Sequence, residues 1–164
     1  MSLSRFTAAA IFTAGRIAVL GAVAALTLST VPASAEAPAL DLSKYRGKVV
    51  YLDFWASWCG PCAQALPALD KLRQEFGADD FQVVAVNVDR EPKLAQAFLK
   101  KRPVGYPSAI DPKGALPARF GVESMPTSFL IDRNGVVRHV QRGFRNGDVA
   151  PLREQIQELV AEAR

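Results

Sequence analysis

The sequence predicts an α/β fold in which helices cover a central sheet, and three observations carry that expectation. Val49–Trp55 is almost entirely apolar, as expected of a strand covered on both faces, and it leads through a short turn into a run of helical periodicity from Ala63 to Phe76. Phe81–Val88 is a second apolar strand, followed by a helix through about Lys101. Thr127–Ile131 and Val136–Gln141 flank Arg133-Asn134-Gly135, a strong hairpin signal. Strands that alternate with helices and close on a hairpin read as one layered α/β domain.

The chain begins with a segment of a different kind. Arg5 and Arg16 accompany an apolar run, Ile17 to Leu28, and no acidic residue precedes Glu36. Val31-Pro32-Ala33-Ser34-Ala35 then supplies small residues at the spacing of a cleavage site, so residues 1–35 read as a secretory signal peptide with Glu36 as the mature N-terminus. The run is about 12 residues, short for a membrane span, and an uncleaved anchor is the alternative. Residues 36–164 form the expected domain. Losing residues 1–35 removes two arginines and no acid, which leaves 18 basic and 16 acidic side chains. So near a balance gives no support to nucleic-acid binding.

In the domain, residues 36–44 are a polar lead with Pro38, read as a linker, and Tyr45-Arg46-Gly47-Lys48 is a turn into the first strand. The helix from Ala63 carries Leu66, Leu69, Leu72 and Phe76 on one face, with Pro67 expected to kink it. Arg102-Pro103 stops the second helix, whose basic end, Lys100-Lys101-Arg102, suits a solvated C-terminal turn. Tyr106–Ile110 reads as a short strand, Asp111–Gly114 as a turn, and Leu116–Phe120 as a short helix. Residues 148–163 form an amphipathic closing helix with Val149, Leu152, Ile156, Leu159 and Val160 inward. His139 lies in the second hairpin strand, where a surface position is expected. No repeat, glycine-rich phosphate loop or serine-triad signature is present.

The two cysteines, Cys59 and Cys62, stand in Trp58-Cys59-Gly60-Pro61-Cys62, between the first strand and the first helix. The first turn of a helix offers unpaired N–H groups and positive potential, which favour a thiolate at Cys59. Pro61 falls where a missing N–H costs least. Cys62 lies about one turn on and on the same side, close enough to close a small disulfide ring. So short a ring constrains the unfolded chain little compared with a long one, which argues for redox chemistry over a structural bridge. Zinc takes about four ligands, and one histidine with no further cysteine does not provide them, so no metal or other cofactor is expected. Asp53 breaks the apolar pattern of its strand. Burial raises the pKa of such a carboxyl and leaves a proton acceptor poised near neutral pH.

The segment from Val50 to Cys62 resembles the active-site segment of the thioredoxin superfamily. The match takes in Asp53, six residues before the first cysteine, and Pro67, five after the second. It also takes in Met125-Pro126-Thr127, placed like that family's cis-proline loop. The helix–strand–helix unit between Asp89 and Phe120 looks like the insertion of the TlpA-like branch, which includes the ResA- and DsbE-like proteins of cytochrome c maturation. Tyr106-Pro107, Phe120-Gly121-Val122 and Pro126–Asp132 followed by Asn134-Gly135 resemble the same branch. Two departures stand out. Ala85 occupies the position where the minimal thioredoxin pattern has a lysine beside the buried aspartate, and the N-terminal hairpin common in the branch is short or absent. Some members carry an acidic residue after the second strand, a place open to Asp89 or Glu91.

The resemblance implies a thioredoxin fold, a three-layer α/β/α sandwich with a mixed central sheet and helices on both faces. It implies thiol–disulfide exchange in the periplasm or on the outer face of the cytoplasmic membrane. Cys59 is expected to attack, Cys62 to resolve, and Asp53 to take the proton of Cys62. Trp55, Trp58, Met125, Pro126 and Thr127 are expected to form the platform where the substrate backbone docks. Substrates would be disulfides of exported proteins, among them cytochrome c apoproteins or copper and cytochrome assembly factors. Electrons would arrive from a membrane thiol donor of the DsbD/CcdA type. The alternatives are a disulfide-forming oxidase or isomerase on the same fold, and a module that carries copper or haem on its thiols.

Overall fold

The computed structural model describes residues 40–162; the expected signal peptide and its cleavage site lie outside the described residues. The sheet has five strands in the order β3-β2-β1-β4-β5. These are β1 (Val49–Trp55), β2 (Phe81–Asn87), β3 (Ser108–Ile110), β4 (Thr127–Ile131) and β5 (Val137–Arg142). β1, β2 and β3 run parallel, while β4 lies antiparallel to both β1 and β5. The mixed sheet is therefore present, with the most apolar strand, β1, at its centre.

The alternation of β1 divides the interior in two. Val49, Tyr51 and Trp55 face α1 (Gly60–Phe76), α2 (Pro92–Lys101) and α4 (Val149–Ala161), and pack with Leu66, Leu69, Leu72, Ala95 and Ile156. Val50, Leu52 and Phe54 face the other way, toward Leu116 of α3 (Ala115–Arg119) and toward Phe129 and Ile131. Each fully buried aliphatic or aromatic side chain contributes about 1.5–3 kcal/mol relative to exposure. Right-handed crossovers place α1 and α2 on the same side of the parallel strands.

The second face is covered more thinly than expected. Besides the five-residue α3, the polar lead and the turn after it close it: Leu40 and Leu42 of the lead and Tyr45 of the turn pack against that cluster, and Ser43–Tyr45 forms a 3-10 turn. The lead from residue 40 is thus part of the core, not a free linker, because the bare face of β1 would otherwise meet water. The β4–β5 turn follows its sequence signal. Gly135 takes a φ of 85°, and Asp132 Oδ1 accepts from the Asn134 and Val136 amides. Arg133, nearly buried, ties the far end of the domain together by donating to Gly47 O, Asp80 Oδ1 and Val160 O.

Candidate active site

The helix that follows β1 starts three residues earlier than its apolar periodicity suggests, at Gly60, because Cys59 itself caps it. Cys59 takes extended backbone angles and its Sγ accepts from the Cys62 amide at 3.2 Å. Pro61 lies in the first turn and Pro67 inside the helix. Cys59 and Cys62 are joined in a disulfide, with Cα atoms 5.3 Å apart. Cys59 keeps 5% of its surface exposed and Cys62 none, so only the first sulfur faces the outside. The Cys62 N–H that now meets the sulfur would stabilise a Cys59 thiolate after reduction.

Behind the disulfide, Asp53 is fully buried on the same side of β1 as Tyr51 and Trp55, which pack in one cluster with Cys62. Its Oδ1 accepts from Ser128 Oγ at 2.6 Å, and its Oδ2 has no partner among the described residues. Burial pushes the carboxyl from 3.8 up to about 7, against the smaller opposing effect of the Ser128 hydrogen bond. The residue opposite Asp53 on β2 is Ala85, so the position matched to the family's lysine brings no cation. The same interior raises the Tyr51 and Tyr106 hydroxyls, by burial first and by the Asp53 charge second.

The expected docking residues separate into two groups. Trp58 is 70% exposed, Met125 is half-buried against both core clusters, and the Met125–Pro126 bond is cis. Trp55 does not join an exposed platform. It is fully buried, its Nε1 donates to Ser108 Oγ at 3.0 Å, and its ring meets Phe98 at 5.3 Å. The inserted α2–β3 unit covers it, which strand alternation in the sequence alone does not reveal. Thr127 is buried as well, and its Oγ1 donates to Ser124 O, so it pins the proline loop and leaves the surface to Met125. Pro126 is buried, and its carbonyl accepts from Gly143 N.

Burial distinguishes Asp89 from Glu91. Asp89 is 1% exposed and accepts from the Ser57 amide at 3.1 and 3.2 Å, from Ser57 Oγ at 3.1 Å and from Asn87 Nδ2 at 2.9 Å. It holds the loop two residues before Cys59. Glu91 is exposed and pairs with Lys93. Sequence reasoning missed Ser57, Asn87 and Ser128 altogether. Ser128 had a signal, being a hydroxyl in an apolar strand that pairs with the strand of Asp53. His139 sits exposed on the edge strand β5.

Among known proteins, a family model described as Redoxin matches residues 23–156. The thioredoxin-like protein YneN of Bacillus subtilis is 40% identical over 106 residues, covering 63% of this chain and 61% of that protein. The thiol-disulfide oxidoreductase ResA of Bacillus thuringiensis is 30% identical over 125 residues, covering 76% of this chain and 69% of the relative. The chain thus spans about six to seven tenths of the length of these curated relatives. A Chlorobium tepidum crystal structure assigned to the DsbE thiol:disulfide interchange proteins superposes with a TM-score of 0.71 at 49% identity, over 73% of this chain and 85% of that one.

Proposed function

We propose, from the premise that the chain belongs to the Redoxin family and has ResA- and DsbE-type relatives, that it reduces disulfides of exported proteins through the Cys59–Cys62 couple. The observation that carries this reading is the asymmetry of the pair: one sulfur reaches the surface at a helix N-terminus and the other is fully buried, on the side of the sheet where the buried Asp53 carboxyl also lies.

In the reduced protein, the Cys59 thiolate attacks a substrate disulfide, forms a mixed disulfide and expels the first substrate thiolate. The Cys62 thiol gives its proton to Asp53 and attacks Cys59 Sγ. The Cys59–substrate bond breaks, the second substrate thiolate leaves, and two electrons have passed to the substrate. Exposed Trp58 and half-buried Met125 provide the apolar contacts for the substrate, while Asp89 holds the loop that carries Cys59. A fresh pair of electrons would come from a membrane thiol donor. Apocytochromes or metal-site assembly factors are the substrate class proposed, with action outside the cytoplasmic membrane.

Gly60-Pro61 between the cysteines resembles the reducing members of the superfamily. Equilibration with glutathione buffers is the test of direction: a disulfide hard to reduce supports the reductant, and a potential as high as that of the strong oxidant DsbA would turn the reading to an oxidase. N-terminal sequencing of the exported protein should find Glu36, and Met1 would replace cleavage with the anchor.

A further inference from the structure

The exposed side of α1 begins at the redox pair. Gly60, Gln64, Pro67 and Lys71 are all exposed, and they recur at helical spacing. Residues three and four apart are neighbours on a helix surface, so the four form one stripe. It leads from Gly60, between the two cysteines, to Lys71, about 16 Å along the axis at 1.5 Å per residue. Beside it runs an open groove of about 480 Å³, walled on its other side by Val149 and Arg153 of α4 and by Asn146 of the turn before α4.

The lining suits an extended peptide. Pro67, Leu72 and Val149 give it an apolar side. Gln64 and Asn146 stand exposed at its head, and neither side-chain amide forms a hydrogen bond among the described residues. An amide both donates and accepts, which is what a peptide backbone asks of a partner. Pro67 has no N–H to give the Ala63 carbonyl, which frees one more acceptor on the α1 wall.

The charges in the groove have one sign. Lys71 and Arg153 line it, and among the described residues no carboxylate does. Arg145, exposed, adjoins Asn146 at the head. The acids nearest in the chain are engaged elsewhere: Asp70 accepts from Arg73 and Gln74, Asp148 accepts from the Arg145 amide, and Glu75 pairs with Arg153. Lys71 and the Arg145 guanidinium form no ion pair among the described residues. At the opposite end of the sheet, Lys48 meets Asp79, Arg133 meets Asp80, and Arg138 meets Asp132 and Glu162. A second copy docked groove to groove would set like charges together, so the charge asks for a different, acidic partner.

We propose that the groove between α1 and α4 receives an extended acidic segment of the protein whose disulfide is reduced, and so favours substrates with carboxylates a few residues from the target cysteine. The proposal rests on protein-disulfide reduction by Cys59 and Cys62. An extended chain rises about 3.3 Å per residue. A carboxylate about five residues from the substrate cysteine therefore comes level with Lys71, and one nearer the cysteine with Arg145 at the head.

The experiment measures the second-order rate at which the prereduced protein reduces synthetic peptides. Each carries one disulfide ring and, at either terminus, a tail long enough to reach Lys71, rich in glutamate, glutamine or lysine. At low salt the glutamate tail should raise the rate about fivefold or more over the glutamine tail, since each exposed ion pair is worth about twofold. High salt should shrink that gain. Lys71→Glu combined with Arg145→Glu should abolish the preference or turn it toward the lysine tail. Lys100→Glu combined with Lys101→Glu makes the same change of charge at the exposed end of α2, outside the groove, and should keep the preference for glutamate. If the three tails react alike in the wild type, or if the α2 pair loses the preference as fully as the groove pair, the groove docks no acidic segment and the reductase activity stands. If no peptide disulfide is reduced, with a tail or without one, the reductase activity and the docking role fall together.

Discussion

Replacing Asp53 with asparagine should make the oxidised protein more stable, and more so as the pH rises. The carboxyl is fully buried and titrates near 7 instead of 3.8. A raised folded pKa means that the neutral form is the one the fold accepts. The contribution of Asp53 to stability is therefore intact below about pH 4 and is lost as pH climbs through 7. At about 1.4 kcal/mol per pH unit between the two values, the full loss is about 4 kcal/mol. By pH 5 about 1.5 kcal/mol has gone, and by pH 8 nearly all of it. The amide of the variant does not titrate, and it keeps the shape of the side chain. Urea unfolding of the oxidised proteins should show the gap between Asp53→Asn and wild type widening by about 2–3 kcal/mol from pH 5 to pH 8. Every other titrating group is common to both proteins and cancels in that gap. Parallel pH profiles would refute the buried-carboxyl account and leave Asp53 without a poised proton.

Trp58→Ala should leave stability within about 0.5 kcal/mol, since the side chain is 70% exposed, yet raise KM for protein disulfides while sparing the rate with a small disulfide; equal loss on both substrates would contradict the docking role. Arg133→Met should cost about 3 kcal/mol in urea unfolding, because the carbonyls of Gly47 and Val160 and the Asp80 carboxylate lose a nearly buried donor; a loss under about 1 kcal/mol would mean these bonds are replaced by water. Asp89→Ala should speed amide hydrogen exchange at Ser57 and Cys59 by removing the acceptor of the Ser57 amide, and unchanged protection would show that the loop holds itself.

Much of this architecture was legible in the sequence because it is written in local pattern. The apolar run Val49–Trp55, the Asn134-Gly135 turn and the Cys59–Cys62 spacing each signal their own geometry within a few residues. Asp53 was legible too, as the single carboxylate in an otherwise apolar strand. What could not be read depends on register between distant segments. That Ser128 stands against Asp53 follows only once β4 is paired with β1. Trp55 was expected in the docking platform by resemblance, but Phe98 and Ser108 from the insertion close over it. Asp89 and Glu91 are both acidic and two residues apart, and only the fold of the β2–α2 connection buries one and exposes the other. The lead before β1 was polar enough to pass for a linker, and its Leu40 and Leu42, with Tyr45 of the following turn, found a use only because α3 is too short to cover that face.

The whole proposed cycle depends on Cys59 striking and Cys62 resolving. The most direct test is to expose the two single-cysteine variants to a protein disulfide and follow the covalent complexes on non-reducing gels. Cys62→Ser retains the surface sulfur at the helix N-terminus and should accumulate a mixed disulfide through Cys59 that disappears on adding thiol. Cys59→Ser retains only the fully buried sulfur and should trap little or nothing. A complex that forms through Cys62, or faster alkylation of Cys62 than of Cys59 at neutral pH, would contradict the assignment of roles. Failure of both variants to trap any partner would contradict the exchange reaction itself.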